Sequence, residues 1–346
     1  GRDRGQVTGR EDHPAPRQGG LFGPPDPPRS NAPSVAPAPV DPAVEQVAAQ
    51  LHNQLRMGTS SWAFEGWRGL VYAAGAAKRH LSKHGLAAYS QHPLLRSVGV
   101  DRTYYAPISA ATFADYAAQV PDTFRFLVKA WEEVTTPRLR GRNGLNPNYL
   151  DPDCAVDRCV APAAEGLGEK LGPLLLQFPP QGPEVTRRPD AFADRLHAFL
   201  RALPSGPRYV VELRDEALFT ANYVAAVRDA GGHHGYVAHP RMPTLSAQRR
   251  LAPVAGPVTA RWMLHRGFAY QQAKERYAPF EALVDRDAAT RAQLSELALQ
   301  AASLDVEMVL IVNNKAEGSS PLSVLELARQ IAQASAAENA RSTSAS

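Results

Sequence analysis

Cysteine is almost missing from this chain: 346 residues hold two, Cys154 and Cys159. Two thiols cannot build a disulfide framework, and a bare C-x4-C pair without further Cys or a neighbouring His is not a zinc site. Long apolar runs are missing too. No stretch of about 18 consecutive apolar residues occurs, so no membrane partner is expected. No apolar signal core opens the sequence, and cytoplasm is the expected location. Charge of one sign is also scarce. Lys and Arg number 38 against 34 Asp and Glu, a net +4 that permits an anionic ligand without requiring one. Among His239, His265, Glu212 and Asp101 no H-x-H, H-E-x-x-H or D-x-D spacing appears, so no metal is expected. No sequence signal calls for a cofactor.

What is present divides the chain in three. Residues 1–55 are expected to be a disordered leader, richest in proline before residue 42, with Pro24-Pro25, Pro27-Pro28 and an Ala/Pro run. Such a composition buries too little surface to offset the entropy of ordering. Arginines there are matched by acids, so the leader is not a basic nucleic-acid arm. Residues 335–346 are expected to be a disordered tail. Residues 56–334 carry eight short β-type runs: 57–61, 98–105, 124–130, 171–178, 209–213, 235–238, 258–264 and 306–312. Between them lie helical patterns at 86–97, 109–119, 190–202, 220–230, 290–303 and 322–334. Phe192, Leu196 and Phe199 share one helix face.

Strand and helix alternating eight times predict a parallel sheet closed into a (β/α)8 TIM-type barrel. An open dinucleotide-binding sheet is disfavoured: Gly58 is followed by Thr59-Ser60-Ser61, with no G-x-G-x-x-G. About forty residues rich in Pro, Asn, Gly and Arg separate the third and fourth runs. A loop of that length after a strand's C-terminal end is expected to be functional or mobile.

Alternate side chains of a barrel strand face the lumen, and the last of them face the binding mouth. Glu212 and Arg214 end the fifth run. Arg261 and His265 share a face of the seventh. Asp101 and Tyr105 come from the second, Lys129 from the third, Gln177 from the fourth and Asn313 from the eighth. The first leads into Trp62 and Trp67. Glu212 reads either as a general acid/base or as a structural carboxylate neutralising Arg214 or Lys129. Asp101 is the natural second carboxylate, and His265 an acid/base helper. Lys129, Arg214 and Arg261 fit recognition of a carboxylate or phosphate, or an ion-pair lattice. Trp62 and Trp67 read as a stacking wall, Gln177 and Asn313 as groups that orient hydroxyls. Of Asn313 and Asn314, at most one faces the lumen.

Several of these segments resemble a known family. Gly58-Thr59-Ser60-Ser61-Trp62-Ala63-Phe64-Glu65-Gly66-Trp67 is similar to the opening G-T-S-G-W-x-Y-x-G-W of the YecE-like family, also called domain of unknown function 72. Phe124–Ala130, Leu171–Pro180, Val211-Glu212-Leu213-Arg214 and Val312-Asn313-Asn314 follow in the family's order, spanning about 57–334. The resemblance implies a TIM-type barrel with its site at these strand ends. The chain departs from the pattern where Gly99 replaces a lumen carboxylate and Asp101 supplies one a pleat later. It departs again at Met263-Leu264-His265-Arg266 and at Lys315, where an acidic residue is usual.

The expected function is an enzyme, hydrolase or lyase, acting on a small polar or anionic ligand. A nucleic-acid-binding barrel is the alternative, drawing on Arg138, Arg140, Arg142, Arg241, Arg249 and Arg250 with the mouth aromatics. A non-catalytic binding barrel is a third.

Overall fold

The computed structural model describes residues 34–344. The leader expectation for residues 1–33 lies outside them. Eight strands form: β1 (Leu55–Thr59), β2 (Ser97–Val100), β3 (Arg125–Lys129), β4 (Leu171–Phe178), β5 (Arg208–Leu213), β6 (His233–Ala238), β7 (Val258–Trp262) and β8 (Met308–Val312). They pair in chain order into a closed barrel, and β1 closes on β8 from Leu55↔Met308 to Thr59↔Val312. All pairs are parallel. A strand covered on both faces needs apolar residues at every position, which is why β8 reads Met-Val-Leu-Ile-Val, all buried.

The helices cover the outside. Pro189–Ala202 buries Phe192, Leu196 and Phe199, the face its spacing predicts. The expected helix over 86–97 is cut to Leu86–Tyr89. The long β3–β4 connection is ordered: Glu132–Thr135 makes one turn, and Pro152–Leu167 supplies the helical crossover. Cys159 is buried in it, and burial pushes its thiol up to about 11, leaving it unreactive at neutral pH.

Two boundaries are corrected. Pro42–Gln50, placed in the leader, is a helix capped by Asp41, whose Oδ1 accepts from Ala43 N at 2.9 Å. Its Val44 and Ala48 are buried, and it packs on the C-terminal helix. Pro at the first helical position, an Asp cap and apolar spacing of four are helix signals that the surrounding proline run conceals. Residues 335–344 of the expected tail are also helical, because the helix Ser320–Ser344 runs through 335 without a breaker.

Inside the barrel, Leu127, Leu175, Val210, Val309 and Ile311 form an apolar plug. At its amino-terminal end Arg56 Nε and Arg208 Nη1 contact Glu307 at 2.5 and 2.7 Å, with Arg125 Nε at 3.9 Å. The plug separates this ion cluster from a second one at the opposite end. No helix among the described residues is long and apolar enough to cross a membrane.

Candidate functional site

Strand ends bring Lys129, Gln177, Glu212, Arg214 and Arg261 to the carboxyl-terminal end of the barrel, and all five are buried. Gln177 on β4 lies in register with Glu212 on β5. Glu212 is clamped between guanidiniums. Arg261 Nη1 donates to its two oxygens at 3.0 and 3.2 Å, and Arg214 Nη1 pairs with Oε1. Burial alone would raise the Glu212 pKa. The charges of Arg214, Arg261 and Lys129 outweigh it and hold the carboxyl below its ordinary value. A carboxylate gripped this way holds its two arginines in place, and its lowered pKa disfavours the protonated form that a general acid needs.

Asp101 is the second carboxylate. The second strand stops at Val100, and Asp101–Tyr104 coils into a 3-10 turn. Glycine at 99 suits this corner, since a Cβ there would lie 3.1 Å from the Ser60 carbonyl oxygen. Asp101 Oδ1 stands 3.5 Å from Arg261 Nη2, and its side chain keeps 28% exposure. Lys129 stacks its ammonium 3.9 Å from the centroid of the Tyr104 ring. Burial lowers its pKa to about 8, Asp101 opposing and the two arginines assisting. Three cations thus face two carboxylates, a surplus of one positive charge. Nε and Nη2 of Arg261 and Oδ1 of Asp101 are buried with no hydrogen-bond partner.

Beside Asp101 opens a cavity of about 530 Å³. Its walls include Asp101, Tyr105, Tyr270, Asn313, Lys274 and Lys315. Asn313 donates to Ser60 Oγ at 3.0 Å, while buried Asn314 accepts from Ser320 N and caps the last helix. One of the pair faces the cavity and the other does not, as adjacent residues require. Tyr105 lies past the end of β2, off the lumen, and is 71% exposed on the cavity wall. A second cavity of about 500 Å³ lies under the β3–β4 loop, lined by Tyr104, Arg138, Arg140 and Arg142.

Three expectations are corrected by position. Trp67 is inaccessible, packed on Phe64 and Tyr89. Trp62 is buried edge-on against Tyr116, its indole N–H donating to Ser82 O at 3.2 Å. Large indoles beside an apolar layer gain more from burial than from facing a wet mouth. His265 does not join the cluster either. Strand β7 ends at Trp262, so the alternation that would aim His265 inward stops at Arg261; its ring packs on Phe268, and Nδ1 accepts from Gly267 N at 3.0 Å. His234 on β6 and His239 after it both feel the cluster's charges, His239 the two charges Arg214 and Glu212. Burial, followed by the Arg214 charge, lowers the pKa of His239 to about 4 and keeps it neutral. Lys315, Tyr270 and Tyr104 were not anticipated as site residues. Lys315 sits directly behind the β8 asparagines and was legible from that place; Tyr270 and Tyr104 follow loop paths that no pattern announces. Among the described residues no group of three or more His, Cys, Asp or Glu is placed to hold a metal.

A closed eight-stranded parallel barrel with charged groups gathered at its carboxyl end defines a TIM-type α/β barrel protein. The profile of the family described as "Protein of unknown function DUF72" matches residues 56–345, and the chain belongs to that family. Among solved structures it is similar to a DUF72 family protein from Thermotoga maritima MSB8, with 18% identity and a TM-score of 0.56, covering 80% of this chain and 98% of that one. A DUF72 family protein from Enterococcus faecalis V583 is similar at 18% identity and a TM-score of 0.54, covering 80% and 95%. At that identity the likeness speaks for the fold. No curated protein matches.

Proposed function

We propose that this barrel is an enzyme that binds a small anionic or phosphate-containing molecule at its carboxyl-terminal mouth and acts on it by acid–base chemistry, as a hydrolase or lyase. One observation carries the reading: a buried cluster with one surplus positive charge, whose Asp101, ion-paired to Arg261 at 3.5 Å, lines a cavity of small-molecule size. Arg261 and Lys129 hold the anion, with Glu212 fixing Arg214 and Arg261. Asp101, the one carboxylate of the cluster that reaches the cavity, moves the proton, and Asn313 and Gln177 orient hydroxyls. Tyr105 and Tyr270 form the wall assigned from sequence to Trp62 and Trp67.

A second reading is favoured by the exposed rings of Tyr105 and Tyr270 together with the Arg138–Arg142 cavity: a single-stranded nucleic acid stacking across the mouth. One screen separates the two. Wild type and Asp101→Asn are assayed against phosphomonoesters and hydroxy acids, with oligonucleotide binding followed across a salt series. The enzyme reading expects turnover that falls at least about a hundredfold in Asp101→Asn while binding persists. Turnover unchanged by that substitution removes Asp101 as the acid/base. Binding only of oligonucleotides, weakening steeply with salt, replaces the first reading by the second.

A further inference from the structure

Lys315 has no role in the chemistry above, yet it lines the same 530 Å³ cavity as Asp101. It is half-buried behind β8, and its Nζ lies 4.4 Å from the centroid of the Tyr270 ring. Among the described residues no ion pair within 4 Å holds it. The charged and titratable groups around it are Asp101, Glu65, Lys78, Lys274, Tyr105 and Tyr270, which line the cavity, and His265, whose backbone N donates to the Lys315 carbonyl at 2.9 Å. Glu65 is turned toward the backbone, accepting from Lys78 N at 2.8 Å. An amine that is partly desolvated and crowded by other ammonium groups is a standard way to obtain a nucleophile near neutral pH.

We propose that Lys315 is a nucleophilic amine that forms an imine with a small aldehyde or keto acid held in this cavity, with Asp101 relaying the proton. This rests on the reading of the mouth as a small-molecule site and names the class of substrate. The neutral Nζ gives its lone pair to the carbonyl carbon, and the C=O π pair moves to oxygen. One N–H proton passes through the Asp101 carboxylate to that oxygen, giving the carbinolamine. The C–O bond then breaks as nitrogen forms C=N, and hydroxide leaves as water with a proton from solvent. Amine, carbonyl and one proton become a protonated imine and water, with no change in oxidation state.

The fraction of Lys315 present as free amine supports the geometry. Burial lowers its pKa to about 8, against the pull of Asp101 and with the help of Lys274 and Lys78. At pH 8 about half of such an amine is neutral, against about 0.4% of an ordinary lysine near 10.4. A less basic amine is also a weaker nucleophile, which leaves an advantage of about tenfold.

The test treats the full chain with pyruvate or glyceraldehyde and sodium cyanoborohydride, then maps alkylated lysines by tryptic mass spectrometry. Addition is expected at Lys315 about tenfold faster than at exposed Lys83, levelling above about pH 8 while Lys83 continues to climb. In wild type the adduct blocks cleavage at 315 and is expected in the peptide spanning 292–329; in Lys315→Arg no adduct is expected between 292 and 329 while addition at Lys83 is unchanged. Equal addition over Lys78, Lys83, Lys274 and Lys315, or addition at Lys129 in place of Lys315, overturns the proposal. A pyruvate-induced rise in melting temperature without addition overturns the imine and leaves the anion site standing. No rise with pyruvate or with inorganic phosphate, and no addition, overturns both.

Discussion

Glu212 and Lys129 differ in what their burial does, and each difference is measurable. Glu212 neutralises two arginines that are themselves buried, so Glu212→Gln leaves their charge without its counter-ion. The expected loss is about 3–5 kcal/mol at pH 7 by urea unfolding. Because the folded carboxyl has a depressed pKa, its stabilisation is complete above the unfolded value near 4.3 and fades as pH falls through the lower folded value. The gap between wild type and Glu212→Gln therefore narrows in acid; a gap constant from pH 7 to 3 contradicts the clamp. Lys129 has the opposite sign. Its folded pKa of about 8 lies below the unfolded value, so between about 8 and 10.4 the unfolded chain binds the extra proton and stability rises with pH. Lys129→Met removes the surplus charge, leaving two cations and two carboxylates. It should be more stable than wild type at pH 7, an advantage that disappears toward pH 10.4. A variant less stable at pH 7 would mean that the Tyr104 contact outweighs desolvation.

At the scale of elements, the strands were legible and their ends were not. Runs such as 171–178 and 306–312 are apolar at every position because both faces are covered, and that signal survives without any partner in view. Where a strand stops is set by its neighbours. At β2 the chain turns at Asp101 because the β1 end presses on Gly99, and a reading by alternation alone carries the strand on to Tyr105. The same extrapolation put His265 on β7. Of the candidate site, the residues on strands (Lys129, Gln177, Glu212, Arg261) and those one step past a strand end (Asp101, Arg214) come together, and those in the loops proper (Trp62, Trp67, His265) do not. Close approach of β1 and β2 gives the element-scale prediction. A Cβ at Gly58 would stand 1.8 Å from the Ser97 carbonyl oxygen, which is backbone and cannot step aside. Gly58→Ala is expected to part the two strands and destabilise the chain by more than the 1–3 kcal/mol usual for core overpacking, read as a fall in the urea midpoint. A midpoint unchanged from wild type would show that β1 and β2 are not in this register.

Across the whole molecule, an apolar layer divides two ion clusters of different construction. At the amino-terminal end three arginines converge on Glu307, whose ionised form they stabilise against burial. Each guanidinium there is ion-paired with Glu307, and the cluster closes the barrel. At the other end the cluster reaches an open cavity through Asp101, which is the asymmetry expected of a barrel whose chemistry sits at its carboxyl-terminal face. The measurement that bears most directly on this is the shift in melting temperature produced by inorganic phosphate and by citrate at constant ionic strength, in wild type and in Lys129→Met. The account predicts a rise in wild type that saturates with anion concentration and is abolished in Lys129→Met, which lacks the surplus charge while retaining the fold. Equal rises in the two proteins, or none in wild type, would contradict it.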